Sequence, residues 1–327
     1  MSIRAKSPLS TPLSLAAACL LLLGSALLAL AQAPFPSRLV TFIVPWGAGG
    51  GSDQAGREIA RHLSDLLKTP VPVVNVPGAT GTIGIAKLVG SPADGYTLGL
   101  MAADTYALLA TIPPEQWKDS DLVPLAVMIK QTSAIMVAES GRYKTWAEFE
   151  KAARARPGEL SIGVGGIGSP QEITINYLRT KGINVIVVPY DKPGERYAAV
   201  LGGQIDGFYE AVGNVRSQIE AKRMRPILMF CSKRMPQFPD VPCSTEVGLD
   251  VTLPQFRAVV ARADTPVTTL RILSDALARV ASSPEYKSYL QSQYADDDSY
   301  VPEAGAHAFM REQLDVMKRI VAQSRKN

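Results

Sequence analysis

Arg38-Leu-Val-Thr-Phe-Ile-Val-Pro-Trp-Gly-Ala-Gly-Gly-Gly-Ser-Asp53 is the stretch on which the fold turns. Its first half, residues 38–45, is short, apolar and β-branched, as expected of a strand buried on both faces. Beyond the glycines, Ala55, Ile59, Leu63, Leu66 and Leu67 recur at helical spacing, with Arg57, Arg61 and His62 on other faces. Strand, glycine loop and helix in that order indicate α/β layering.

The same alternation continues outward. Strand-like runs at 71–76 and 96–101 enclose a small-residue helix near 82–89, and two strand-like pieces follow each other between 125 and 138. Thr145-Trp-Ala-Glu148 reads as a capping box opening a helix that stops at Pro157-Gly158. A second series then places strands at 160–162, 184–188, 205–209 and 227–230, with helices near 170–181, 195–201 and 214–221. After a strand at 256–260 the tail is helical, with Thr265-Pro266 as cap and first-turn proline, and Pro302 opening a last amphipathic stretch. The order predicts two α/β lobes, each a mostly parallel sheet flanked by helices. The boundaries fall at 32–131 plus 256–327 for lobe 1 and 132–255 for lobe 2, with hinge crossings near 131 and 255.

Arg4 and Lys6 precede an almost wholly apolar stretch from Leu13 to Leu30, which ends in Ala29-Leu30-Ala31. This is the pattern of a signal peptide, residues 1–31, cleaved after Ala31 to leave Gln32 first. A retained anchor fits less well, because helix-compatible sequence stops at Pro34 and Pro36. The chain is therefore expected to be exported and soluble. Its 327 residues carry 34 basic and 30 acidic side chains, a formal charge of +4, and without Arg4 and Lys6 the balance is 32 against 30, or +2. So even a balance, with no basic run, argues against a nucleic-acid partner. At 46% hydrophobic and 20% charged the sequence is globular rather than disordered or coiled-coil.

Neither His62 nor His307 has metal-ligand spacing with other donors, and no G-x-S-x-G elbow occurs. No metal, no cofactor and no catalytic residue is expected, which leaves an α/β enzyme as the weaker reading. Cys231 and Cys243 flank a segment holding Pro236, Pro239 and Pro242, which turns the chain enough for a disulfide; two separate buried thiols are the alternative.

Gly47, Ala48, Gly49, Gly50, Gly51, Ser52 and Asp53 lie between strand and helix start, where free N–H groups and the helix dipole favour an anion. The position of the third dinucleotide-fingerprint glycine is Ser52, and no Lys-Ser or Lys-Thr completes a P-loop. Carboxylate binding survives both exclusions, beside the alternative of a tight turn without a ligand. A second loop of this kind, residues 163–169, belongs to the other lobe, so the two loops are expected to face each other across a cleft.

The sequence resembles the periplasmic solute receptors of tripartite tricarboxylate transporters, the Bug or TctC-like family, over essentially the whole mature chain. The resemblance rests on Phe35-Pro-Ser-Arg38, the residues 44–53 followed by Arg57, Asn75-Val-Pro-Gly-Ala79 with Gly81 and Gly84, and Ala93-Asp-Gly-Tyr-Thr-Leu98. It continues through Arg156-Pro-Gly-Glu-Leu160, Gly166-Ile-Gly-Ser169, Pro189-Tyr190, Leu201-Gly-Gly-Gln-Ile-Asp206 and Pro239-Asp-Val-Pro242. It implies a Venus-flytrap receptor without catalytic activity, which captures a small organic carboxylate and delivers it to membrane permease subunits, and it is expected to act as a monomer. A receptor that presents its ligand to a membrane signalling kinase is the alternative. By the resemblance, Trp46 and residues 47–53 hold one carboxylate, Asp104 and Thr105 line the same lobe, and Gly166, Gly168, Ser169 and Tyr190 close from the other. The chain departs from the family at Glu172, at residues 191–196 and at Glu210. There Arg196 is expected to clasp a second carboxylate in two-pronged fashion and Glu210 to meet a ligand amine or hydroxyl.

Overall fold

The computed structural model describes residues 34–190 and 192–325, so the expected signal peptide and the cleavage expected after Ala31 lie outside the described residues. Lobe 1 opens with β1 (Thr41–Val44), α1 (Gly51–Leu67), β2 (Val73–Asn75), α2 (Thr82–Val89), β3 (Thr97–Ala102), α3 (Ala103–Thr111) and β4 (Leu122–Gln131). Lobe 2 follows with β5 (Ser133–Ala138), α4 (Trp146–Ala155), β6 (Ser161–Val164), α5 (Pro170–Thr180), β7 (Ile186–Pro189), α6 (Pro193–Leu201), β8 (Gly207–Ala211), α7 (Arg216–Glu220) and β9 (Met224–Met229). The chain then returns as β10 (Gln255–Arg262), α8 (Val267–Ser282), α9 (Pro284–Ser292), β11 (Val301–Pro302) and α10 (Glu303–Ser324).

Six strands form one sheet in the order β11-β4-β10-β3-β1-β2, and five form the other as β7-β6-β8-β5-β9. Both sheets are mixed where the sequence suggested mostly parallel ones. β1 runs parallel to β2 and β3, and β6 parallel to β7 and β8, but β10 lies antiparallel between β3 and β4, and β5 antiparallel between β8 and β9. The reason is the crossings. A strand arriving from the other lobe enters its sheet beside the carboxyl ends of the parallel strands, so Arg257 near the start of β10 pairs with Ala102 at the end of β3, and Ser133 with Ala211. Only Thr132 separates β4 from β5.

The apolar stripe of α1 packs as its spacing predicts: Ala55, Ile59 and Leu63 are fully buried, each of the larger two stabilising the fold by roughly 1.5–3 kcal/mol. His62, expected on another face, is buried too, edge-on to Tyr286 and hydrogen-bonded to Glu58. The Thr145/Glu148 capping box opens α4, with Glu148 N–H donating to Thr145 Oγ1 and Thr145 N–H to Glu148 Oε2. Pro266 itself caps α8, one position earlier than the expected first-turn proline. Cys231 and Cys243 are joined by a disulfide, their Cα atoms 5.1 Å apart, tying the end of β9 to the turn that leads towards β10.

α10 serves both lobes. Ala306, Met310 and Leu314 belong to the core around β3, β4 and β10, whereas Met317 and Ile320 sit in the lobe 2 core with Tyr177 and Leu178. Together with direct contacts across the cleft, this makes residues 39–327 one compact unit. Among the described residues no helix is long and apolar enough to cross a membrane, and no group of three or more His, Cys, Asp or Glu is placed to hold a metal ion.

Candidate functional site

The first glycine loop runs from the end of β1 to the start of α1. Gly49 adopts φ +82°, a left-handed conformation that favours glycine. Its N–H donates to Asp53 Oδ2 at 2.9 Å, Asn75 Nδ2 donates to Asp53 Oδ1 at 2.9 Å and to the Trp46 carbonyl at 2.9 Å, and Arg57 Nε donates to Asp53 Oδ2 at 3.0 Å. Burial would raise the Asp53 carboxyl, but these hydrogen bonds outweigh it and hold it below the usual carboxylate range. Asp53 thus braces the loop and points away from the cleft. The helix cap is Gly50, with no side chain bonded to the helix start, so the first N–H groups of α1 stay available. Ser52 lies within the first turn rather than before it, and its Oγ accepts from Arg257 Nε at 3.2 Å.

Lobe 2 repeats the device. Gly168 adopts φ +80° and its N–H donates to Glu172 Oε2 at 2.6 Å, four residues on, as Gly49 does to Asp53. Ser169 caps α5 by accepting from Glu172 N–H at 3.3 Å and donates to the Gly166 carbonyl at 2.7 Å. Glu172 is therefore a brace rather than a charge in the cleft. The tip of this loop touches lobe 1: Thr80 Oγ1 donates to the Ile167 carbonyl at 3.1 Å and Thr111 Oγ1 to the Gly168 carbonyl at 3.0 Å. The lobes are closed on each other.

Between the loops lies a cavity of about 50 Å³, room for about four water-sized groups at ~10–15 Å³ each. Of the residues singled out from the sequence, Trp46, Gly47, Gly50, Gly51, Ser52, Asp104, Tyr190, Arg196 and Glu210 line it. Ala48, Gly49, Asp53, Thr105, Gly166, Gly168 and Ser169 do not; they shape the loops or, for Thr105, pack beneath Gly81. Gly165, Gln171, Pro193, Asn214, Gln255 and Arg257 also line it and were not singled out. A signal for some of them existed. Ser52, Asp104 and Gln171 are each the second residue of a helix that follows a strand, and Gln255 and Arg257 alternate on one face at the start of β10.

The floor is a buried ion pair. Arg196, 3% exposed, donates through Nη2 to Glu210 Oε2, which also accepts from Tyr197 Oη at 2.9 Å. Glu210 Oε1 accepts from Ala211 N–H at 3.0 Å and Asn214 Nδ2 at 2.9 Å. Four donors saturate this carboxylate. Glu210 therefore fixes Arg196 and has no oxygen left for a ligand amine, which corrects the role the sequence suggested. With Nη2 so engaged, Arg196 is left with Nε and Nη1 rather than the empty two-pronged fork the sequence suggested. Both of these nitrogens are buried without a partner among the described residues, as are Trp46 Nε1 and Gln255 Nε2. Arg257 Nη1 donates to Gln131 Oε1 at 2.6 Å. Asp104 receives Gln171 Nε2 from across the cleft at 3.3 Å. Burial and then the neighbouring Glu210 charge push its carboxyl up to about 6, against the pull of Arg257 and Arg196. A larger crevice of about 620 Å³, beside Glu172, Arg179 and Arg325, contains none of the buried unpartnered donors.

Two lobes closing on a donor-lined cavity at the carboxyl ends of their strands define a solute-binding receptor. Residues 55–325 match the model of the tripartite tricarboxylate transporter family receptor, TctC, and the chain belongs to that family. It is 28% identical to the protein BugT of Bordetella pertussis over 71% of this chain and 73% of that one. Its fold is similar to that of MatC from Rhodopseudomonas palustris with bound malate (TM-score 0.81, 23% identity, covering 88% of this chain and 100% of that one). It is similar likewise to that of the periplasmic binding protein BugD (TM-score 0.82, 21% identity, covering 89% and 98%). The family is one of periplasmic receptors rather than enzymes.

Proposed function

We propose that this receptor captures a small organic carboxylate between its lobes and delivers it, as a monomer, to the membrane permease subunits of a tripartite tricarboxylate-type transporter. In this reading residues 1–31 are removed on export, residues 32–131 plus 256–327 form the first lobe, and 132–255 form the second. One observation carries the ligand class. Trp46 Nε1, Arg196 Nε and Nη1, and Gln255 Nε2 are all buried donors without an acceptor among the described residues, and all belong to residues lining one cavity at an uncapped helix start. Leaving such groups unsatisfied costs roughly 1–3 kcal/mol each, and a carboxylate supplies the missing acceptors together with a charge the helix dipole favours. The malate in MatC belongs to that protein; it is consistent with this fold accommodating a carboxylate.

Thermal unfolding against a panel of organic acids, amino acids and their amides tests the proposal. At a ligand concentration of about 100 Kd, linkage stabilises the folded protein by ~2.7 kcal/mol, so at least one carboxylate should raise the melting temperature by several degrees with one-to-one saturation. A neutral sugar that stabilises the protein while no carboxylate does would reject the reading.

A further inference from the structure

We infer that the ligand is a short monocarboxylate carrying its own hydrogen-bond donor, a hydroxyl or an amine, which Asp104 receives, and that a dicarboxylate is disfavoured. This rests on the carboxylate reading above and narrows it.

Charge balance is the first ground. Among the described residues, the charged side chains lining the cavity are Asp104, Glu210, Arg196 and Arg257, two of each sign. Arg196 is paired with Glu210 in a buried contact, and Arg257 bonds only to the neutral Ser52 and Gln131 among the described residues. A monocarboxylate adds one negative charge, to be met by Arg257 and by a helix start equivalent to roughly half a positive charge. A dicarboxylate would bring a second charge beside Asp104 with no unpaired cation to receive it.

Hydrogen-bonding capacity is the second. Glu210 already accepts from four donors, whereas Asp104 accepts, among the described residues, only from Gln171 Nε2 at 3.3 Å and from its own backbone N–H. The cavity thus presents several donors in want of acceptors and one carboxylate in want of a donor. Burial and the Glu210 charge push Asp104 up to about 6, so an ionised Asp104 is held at a cost that a ligand O–H or N–H relieves. Size agrees, since about 50 Å³ suits a chain of few atoms.

Calorimetry on the mature protein with four three-carbon probes decides. Lactate or alanine should bind at least about tenfold more tightly than propionate or malonate, the low end for a hydrogen bond to a charged group. Asp104→Leu should erase that ratio while propionate binding persists. Asp104→Asn, which keeps the shape and one acceptor, should retain lactate and lose alanine, and it covers the case in which Asp104→Leu does not fold. Malonate as the tightest probe, or ratios unchanged in the folded variants, overturns the inference while leaving the carboxylate reading intact. Failure of every carboxylate beside binding of a neutral solute removes both.

Discussion

Ser52 and Asp104 show how a shift of one position changes what a side chain does. A serine before a helix caps it, but Ser52 stands inside the first turn of α1, with Gly50 at the cap and Arg257 Nε on its hydroxyl oxygen. Its own hydroxyl proton is then free to be donated. Ser52→Ala is expected to weaken carboxylate binding by about 1.5–3 kcal/mol. Its effect on the ligand-free protein should come from Arg257 losing a partner, not from a lost cap. Calorimetry of the folded variant and thermal unfolding without ligand separate the two. An unchanged dissociation constant would assign the anion to the backbone N–H groups and the other donors that line the cavity. Asp53 was legible as part of the loop but not as its brace, because a carboxylate four residues after a glycine reads equally well as a ligand group. Only its three donors from Gly49, Asn75 and Arg57 settle the matter.

At the scale of elements, closure depends on how near two backbones approach. A Cβ on Gly51, at the start of α1, would lie 2.3 Å from Asn214 Oδ1 of the opposite lobe. Asn214 has little freedom to retreat, since its Nδ2 donates to Glu210, and through Glu210 its position is tied to that of Arg196. Gly51→Ala should therefore oppose the closed state while leaving each lobe folded. Overpacking of this kind costs ~1–3 kcal/mol, so ligand affinity is expected to fall about tenfold or more with little change in the melting temperature of the ligand-free protein. A variant that binds as tightly as the parent would show that the lobes do not need this approach. The strands and helices themselves were largely legible, because periods of two and of 3.6 residues are local. β11 and the separate helices α3 and α9 were not; the first is two residues long and the others are set by what they pack against.

Across the whole molecule, α10 adds a link between lobes that the two chain crossings do not supply. Its first turns belong to the lobe 1 core and its Met317 and Ile320 to that of lobe 2. Opening is predicted to swing about Thr132 and the approach to β10 while one end of α10 slides or detaches. Small-angle scattering is expected to show a smaller radius of gyration with a saturating carboxylate than without. An equal radius in both, both matching the open form, would count against ligand-driven closure. A ligand shifts this equilibrium only by binding the closed form better, and in the proposed reading the donors of Arg196 and Gln255, which line one cavity in the closed form, would provide that difference.

Without any structure, the family resemblance along the chain implied a receptor, and residues 38–53 and the alternation around them indicated a two-lobed α/β fold with glycine loops at the ends of its strands. Those features follow from neighbours two to four residues apart, which every segment carries in itself. Tertiary structure decided the rest. β10 runs antiparallel because it enters from the cleft, and that direction alone puts Gln255 and Arg257 in the cavity. Glu210 became the anchor of Arg196, and Asp104 the undersupplied acceptor, through partners as far as 67 positions away along the chain. A side chain's charge is written in the sequence, but whether that charge is already spent depends on contacts that only folding brings together.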